Sequence, residues 1–186
     1  MKKNIIYITA LCAVMGLAAC SNDPEDAVSK HVYTADESPY LRTDTSANIA
    51  LTAEFRKGHI QQKVIDLKDY AVKIQNHLGM TVDEMISELE SGKVVFYNIN
   101  INKGVWDKTV PNDSTGWGYD ASGAVSDTAR VASITLDKVN KLLVLDVPAN
   151  SDAGLSLNEN VGFAVNDGKD FDKYVRFSIS MSVTDP

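Results

Sequence analysis

From Tyr174 to Val183 apolar and polar residues alternate one by one. Val175, Phe177, Ile179, Met181 and Val183 fall on one side, and Arg176, Ser178, Ser180 and Ser182 on the other. Period two requires an extended strand with one covered face, because only there do successive side chains point to opposite sides. The same period runs through Ile49, Leu51, Ala53 and Phe55, with Ala50, Thr52 and Glu54 opposite. Between these segments lie Val94 to Ile101, Val131 to Leu136, Lys141 to Val147 and Asn160 to Asn166, each apolar and separated by Gly, Asn and Asp. Short strands spaced about ten residues apart predict a mostly β fold, a β-sandwich or jelly-roll-like architecture. No alternating strand–helix rhythm and no repeat at a solenoid or propeller period competes with it.

One region changes period. Leu67, Tyr70, Ala71, Ile74 and Leu78 are three or four apart, which predicts a helix over 66–78 with Gly79 as its C-terminal cap. Thr81 and Glu84 have the spacing of a capping box, opening a second helix over 82–90 that turns Met85, Ile86 and Leu89 inward and stops at Gly92. Neither apolar stripe is stable exposed, so a small N-terminal helical hairpin packed on the sheet is expected.

Ahead of this domain, Lys2 and Lys3 precede an apolar run from Ile5 to Ala19 and then Cys20. Thr9 and Gly16 interrupt the run, and it is shorter than the roughly 20 residues of a membrane-spanning helix. Leu17-Ala18-Ala19-Cys20 resembles the lipobox of bacterial lipoproteins. That resemblance implies a signal peptide over 1–19, a lipidated Cys20, and membrane attachment through acyl chains rather than a span. Residues 20–45, polar and without periodicity, are expected to be a tether, and 46–186 a single β-rich domain. Cys12 would leave with the signal, so no cysteine would remain for a disulfide, a zinc site or a thiol nucleophile. The acidic stretch Ser21 to Asp26 resembles the surface-export signal of Bacteroidetes lipoproteins, which implies an outer-membrane anchor facing the cell surface. Retention on the periplasmic side is the alternative.

Removing Lys2 and Lys3 leaves 16 basic against 25 acidic groups, a net of −9. Nucleic acid is excluded as a partner on that charge, because its recognition needs a basic patch. A neutral ligand fits. In Thr115 to Gly123, Trp117 and Tyr119 alternate with glycines that permit close approach of backbone or ligand. Sugar rings have apolar faces for such rings and hydroxyls for short polar side chains, so Trp106, Asn112, Asp113, Trp117, Tyr119 and Asp120 are the candidate glycan contacts. The competing reading places Trp117 or Tyr119 in the core. At least one exposed ring among Trp106, Trp117 and Tyr119 is expected.

Asp167, Asp170 and Asp172 invite a calcium reading, but they lack the EF-hand spacing and closing glutamate, and a hairpin turn around Asp167-Gly168 is preferred. His31, His59 and His77 are scattered over tether, loop and helix end and form no zinc motif. No metal or other cofactor is expected. No nucleophile elbow, phosphate loop or dinucleotide fingerprint is present.

Val94 to Tyr97, Gly116 to Gly123 and Val161 to Gly168, closed by the final alternating strand, resemble the DUF4859 family of Bacteroidetes lipoproteins. The resemblance implies an envelope protein encoded among glycan-utilisation genes and brings no established chemistry. The expected function is non-catalytic glycan capture beside an outer-membrane transporter or other lipoproteins. The alternative is an accessory lipoprotein that binds another protein in an envelope complex, and a glycoside hydrolase is the third reading.

Overall fold

The computed structural model describes residues 46–100, 105–107, 115–166 and 173–186. Nine strands are β1 (Asn48–Arg56), β2 (Gln61–Asp66), β3 (Val94–Asn100), β4 (Val105–Asp107), β5 (Gly116–Tyr119), β6 (Ala132–Asp137), β7 (Leu142–Val147), β8 (Ser156–Val165) and β9 (Tyr174–Thr184). Between β2 and β3 come a 3-10 turn over Leu67–Tyr70 and the helices α1 (Ala71–Leu78) and α2 (Val82–Ser91). The strands form a five-stranded sheet in the order β1-β9-β8-β3-β4 and a four-stranded sheet in the order β2-β7-β6-β5. This is a mostly β, two-sheet fold of sandwich-like architecture with a small helical segment.

The alternation fixes the register. Ile49, Leu51, Ala53 and Phe55 stand opposite Phe177, Ile179, Met181 and Val183. A slip of one residue would turn every apolar side chain of β1 to the wrong face. The β1–β9 pair is parallel, whereas the other pairs among the described residues are antiparallel. The core draws on both sheets: Phe55, Phe163 and Phe177 from one, and Ile134, Leu143 and Leu145 from the other. Ala47, Tyr97, Ile99, Ala164 and Tyr174 form a second buried cluster. β3 is buried on both faces, with Val94 in the first cluster and Tyr97 and Ile99 in the second, hence its unbroken apolar run.

Strand β2 departs from the expected loop. Its Gln62, Lys63 and Val64 are exposed, and Ile65 packs on the core. A sheet-edge strand like this hides one or two side chains, too few to print an alternation. Asp66 does not begin an α-helix either. Its Oδ1 accepts from the Lys68 amide at 2.9 Å, capping the 3-10 turn, and regular helix starts at Ala71.

The hairpin itself is built as its spacing predicts. Glu84 donates its amide to Thr81 Oγ1 at 3.2 Å, and Glu84 Oε2 accepts from the Thr81 amide at 2.7 Å. Both glycine stops are present, at Gly79 and Gly92. Ile74, Leu78 and Met85 are buried, while Ile86 and Leu89 are half-buried against the same core. Tyr70 meets Phe177 edge-on at 5.8 Å, and Lys73 Nζ donates to the Asn48 carbonyl at 2.6 Å. Lys141 from the β6–β7 turn pairs with Asp83 at the start of α2 and holds its carboxyl below the usual range.

Met85→Ala should lower unfolding free energy by about 2–5 kcal/mol through lost burial and a residual cavity. Thr81→Ala should lower it by about 0.5–2 kcal/mol. Leu89→Ala, at a half-buried site, should fall below Met85→Ala, an order that urea denaturation followed by circular dichroism checks.

Candidate functional site

The aromatic–glycine run becomes β5, and its rings turn into the core. Trp117 is 4 % exposed and Tyr119 0 %. Trp117 lies against Phe96 of the opposite sheet with centroids 4.8 Å apart. The Tyr119 hydroxyl donates to Asn98 Oδ1 at 2.8 Å, which lets a phenol be buried without stranding its O–H. The expectation that these two rings stack on a sugar is therefore corrected: neither presents a face to solvent. Gly118 does serve close approach, but of protein. A methyl group there would lie 2.8 Å from the Ser126 carbonyl and 2.5 Å from the Arg130 side chain. Of the remaining candidates, Asp120 is described and half-buried. Trp106 is placed by backbone on β4, opposite Ile99. Its side chain lies outside the described residues, as do Cys20, Asn112, Asp113, Asp167, Asp170 and Asp172.

Asp120 opens a tight turn. Its Oδ1 accepts from the Ser122 amide at 2.8 Å, Ser122 Oγ at 2.6 Å and the Ala124 amide at 3.1 Å. The Ser122 hydroxyl and these amides hold its carboxyl below the usual range. The turn brings Gly123, at φ +81°, over Glu159 of β8. Glu159 is 7 % exposed, and among the described residues no side chain or amide is seen hydrogen-bonded to its carboxylate. Burial, and then the charge of Asp120, push it up to about 7. Leu157, Val161 and Phe163 share its side of β8, so the signal that could have found it was a carboxylate on an otherwise apolar strand face. Unequal carboxyls are what acid catalysis uses, but a general acid must reach its substrate. Glu159 is covered by Gly123 instead. Among the described residues no group of three or more His, Cys, Asp or Glu side chains is placed to hold a metal ion.

Two surface features remain. On the five-stranded sheet, Ser178 Oγ donates within reach of Asn160 Oδ1 (2.6 Å) and Asn48 Oδ1 (2.8 Å), Arg176 Nε reaches Asn48 Oδ1 at 2.9 Å, and Ser180 Oγ donates to Asn158 Oδ1 at 2.7 Å. These groups satisfy one another across strands, a device of pairing rather than an open set of donors. On the hairpin, an open groove of about 500 Å³ is lined by Lys68, Ala71, Val72, Gln75, Val82 and Asp83, among others. Val72 is 76 % exposed there. Asp83 is already paired with Lys141, whereas Lys68 has no carboxylate within ion-pair distance. The groove is thus apolar along its floor and positive at one rim.

No family model matches the chain, and no curated protein matches it. Among solved structures, the crystal structure of Listeria monocytogenes InlP is similar at 13% identity and a TM-score of 0.32, over 74% of this chain. The matched part spans 27% of that protein, and a likeness this weak carries neither fold nor function across.

Trp117→Ala should reduce folding stability by about 3–5 kcal/mol, as expected of a core ring. Tyr119→Phe should lose about 1–3 kcal/mol by leaving the buried Asn98 oxygen unpaired. Chemical denaturation of both variants measures these losses.

Proposed function

We propose that this chain is a lipid-anchored, non-catalytic accessory protein that docks another envelope protein on its helical hairpin. The observation that carries the reading is the open, mainly apolar groove along Val72, with Lys68 at its rim, on a hairpin whose opposite side is fixed to the core. The occupant this favours is an amphipathic helix with an acidic residue beside its apolar stripe. Such a helix buries side chains in a groove between two helices and meets the Lys68 ammonium at the rim. The lipobox at Cys20 supports anchoring, which would raise the local concentration of the domain near a membrane-bound partner. Burial of Trp117 and Tyr119 moves glycan capture to second place, since it withdraws the rings that motivated it.

The test places a photo-crosslinking residue at Gln75 of the full chain in native membranes. One stoichiometric protein adduct is expected, absent when Val72→Asp is added and absent when the crosslinker sits at exposed Val139. Loss of the adduct with restoration by Val72→Leu supports the groove. No adduct from Gln75, combined with binding on a glycan array, overturns the proposal in favour of glycan capture.

A further inference from the structure

Among the described residues β5 is the last strand of its sheet, with no strand paired on its outer side. The residues after it fold back over that side. Tyr119 forms a β-bridge with Val125, the Ser126 amide donates to the Gly118 carbonyl at 2.9 Å, and the Asp120 amide donates to the Ala124 carbonyl at 2.9 Å. Residues 120–126 thus blunt an edge that would otherwise be a template for pairing with another chain. This cover rests on Glu159. A methyl group at Gly123 would lie 2.6 Å from Glu159 Oε1, and Asp120 at the root of the turn is the charged group that acts on it.

We propose that Glu159 is a proton-controlled latch: protonated, it seats the Asp120–Ser126 segment over the β5 edge, and ionised, it lifts that segment and opens the edge. The driving force is local. An ionised Glu159 would be a largely buried carboxylate under the Gly123 backbone, facing an Asp120 that its own turn keeps negative. Among the described residues no other charge acts on it. Ile179 stands opposite on β9, and Leu157 and Val161 flank it on β8. Lifting the turn hydrates the carboxylate more fully and moves it away from Asp120, and it breaks the Ser126–Gly118 bond in the same movement.

The sign follows from the raised carboxyl. Below the water value of 4.5 both closed and open forms are protonated and the cover is at its most stable. As pH rises through about 7 that stability is lost, because the closed form binds the proton more tightly. The opening equilibrium can change by at most about 300-fold, tenfold for each unit between 4.5 and about 7. Hydrogen exchange of the Asp120, Gly123 and Ser126 amides in the full chain, corrected for intrinsic rates between pH 5 and 8.5, reads it directly.

Wild-type protection at these amides should fall by tens to a few hundredfold with a midpoint near 7. Glu159→Gln should keep the amides protected throughout, and Asp120→Asn, which retains the Oδ1 acceptor, should move the midpoint down. Flat wild-type protection, or the same profile in Glu159→Gln, overturns the latch. Should Glu159→Gln fail to fold, the carboxyl-carbon titration of Glu159 in the wild type decides. A midpoint near 7 that coincides with a shift of the Ser126 amide supports the proposal, and an ordinary glutamate midpoint overturns it.

Discussion

Phe96 joins the two sheets. Its ring lies 4.7 Å from Phe163 within its own sheet and 4.8 Å from Trp117 of the other, and Phe163 continues edge-on to Phe177 at 6.3 Å. Through Phe177 the contact reaches Tyr70 and so the helical hairpin. Each such pair adds about 0.5–1.5 kcal/mol beyond the area it buries, and a line of them fixes the spacing of three layers at once. The position of β5 follows from this stack, and the turn after β5 inherits its place over Glu159 from it.

Most polar side chains inside the fold are paired, and among the described residues Asp146 Oδ1 is buried without a hydrogen-bond partner. Tyr119 and Asn98 satisfy each other, and Asn160 is met by Ser178. Glu159 sets a titratable group against apolar neighbours. Natural cores tolerate such a group when it is neutral, which ties the state of one proton to the seating of one turn. The groove on α1 and α2 lies on other elements and is not coupled to that proton by any contact described above.

Much of the architecture was legible from period alone. Val175 to Val183 and Ile49 to Phe55 printed their inward faces, and Thr81, Glu84, Gly79 and Gly92 printed both helix ends. Where one face is covered by core and the other by solvent, the alternation survives in the sequence. It failed at β2, which turns few residues inward, and it said nothing of the parallel β1–β9 pairing, because period is blind to strand direction. The site was harder. Trp117 and Tyr119 alternate with glycine, and that pattern looks the same whether the glycines admit a ligand or, as here, the Ser126 backbone. Glu159 gained its character from a turn that lies 36 residues earlier in the chain at Gly123, a proximity no local window contains.

The parallel pairing of β1 with β9 also sets a timetable. Asn48 and Arg176 are 128 positions apart, yet they are partners in one ladder. β1 therefore waits for its ladder partner until β9 has been synthesised. Closing so long a loop is slow relative to local contacts. The antiparallel neighbours of β3 close first, and the parallel edge pair is the last to zip.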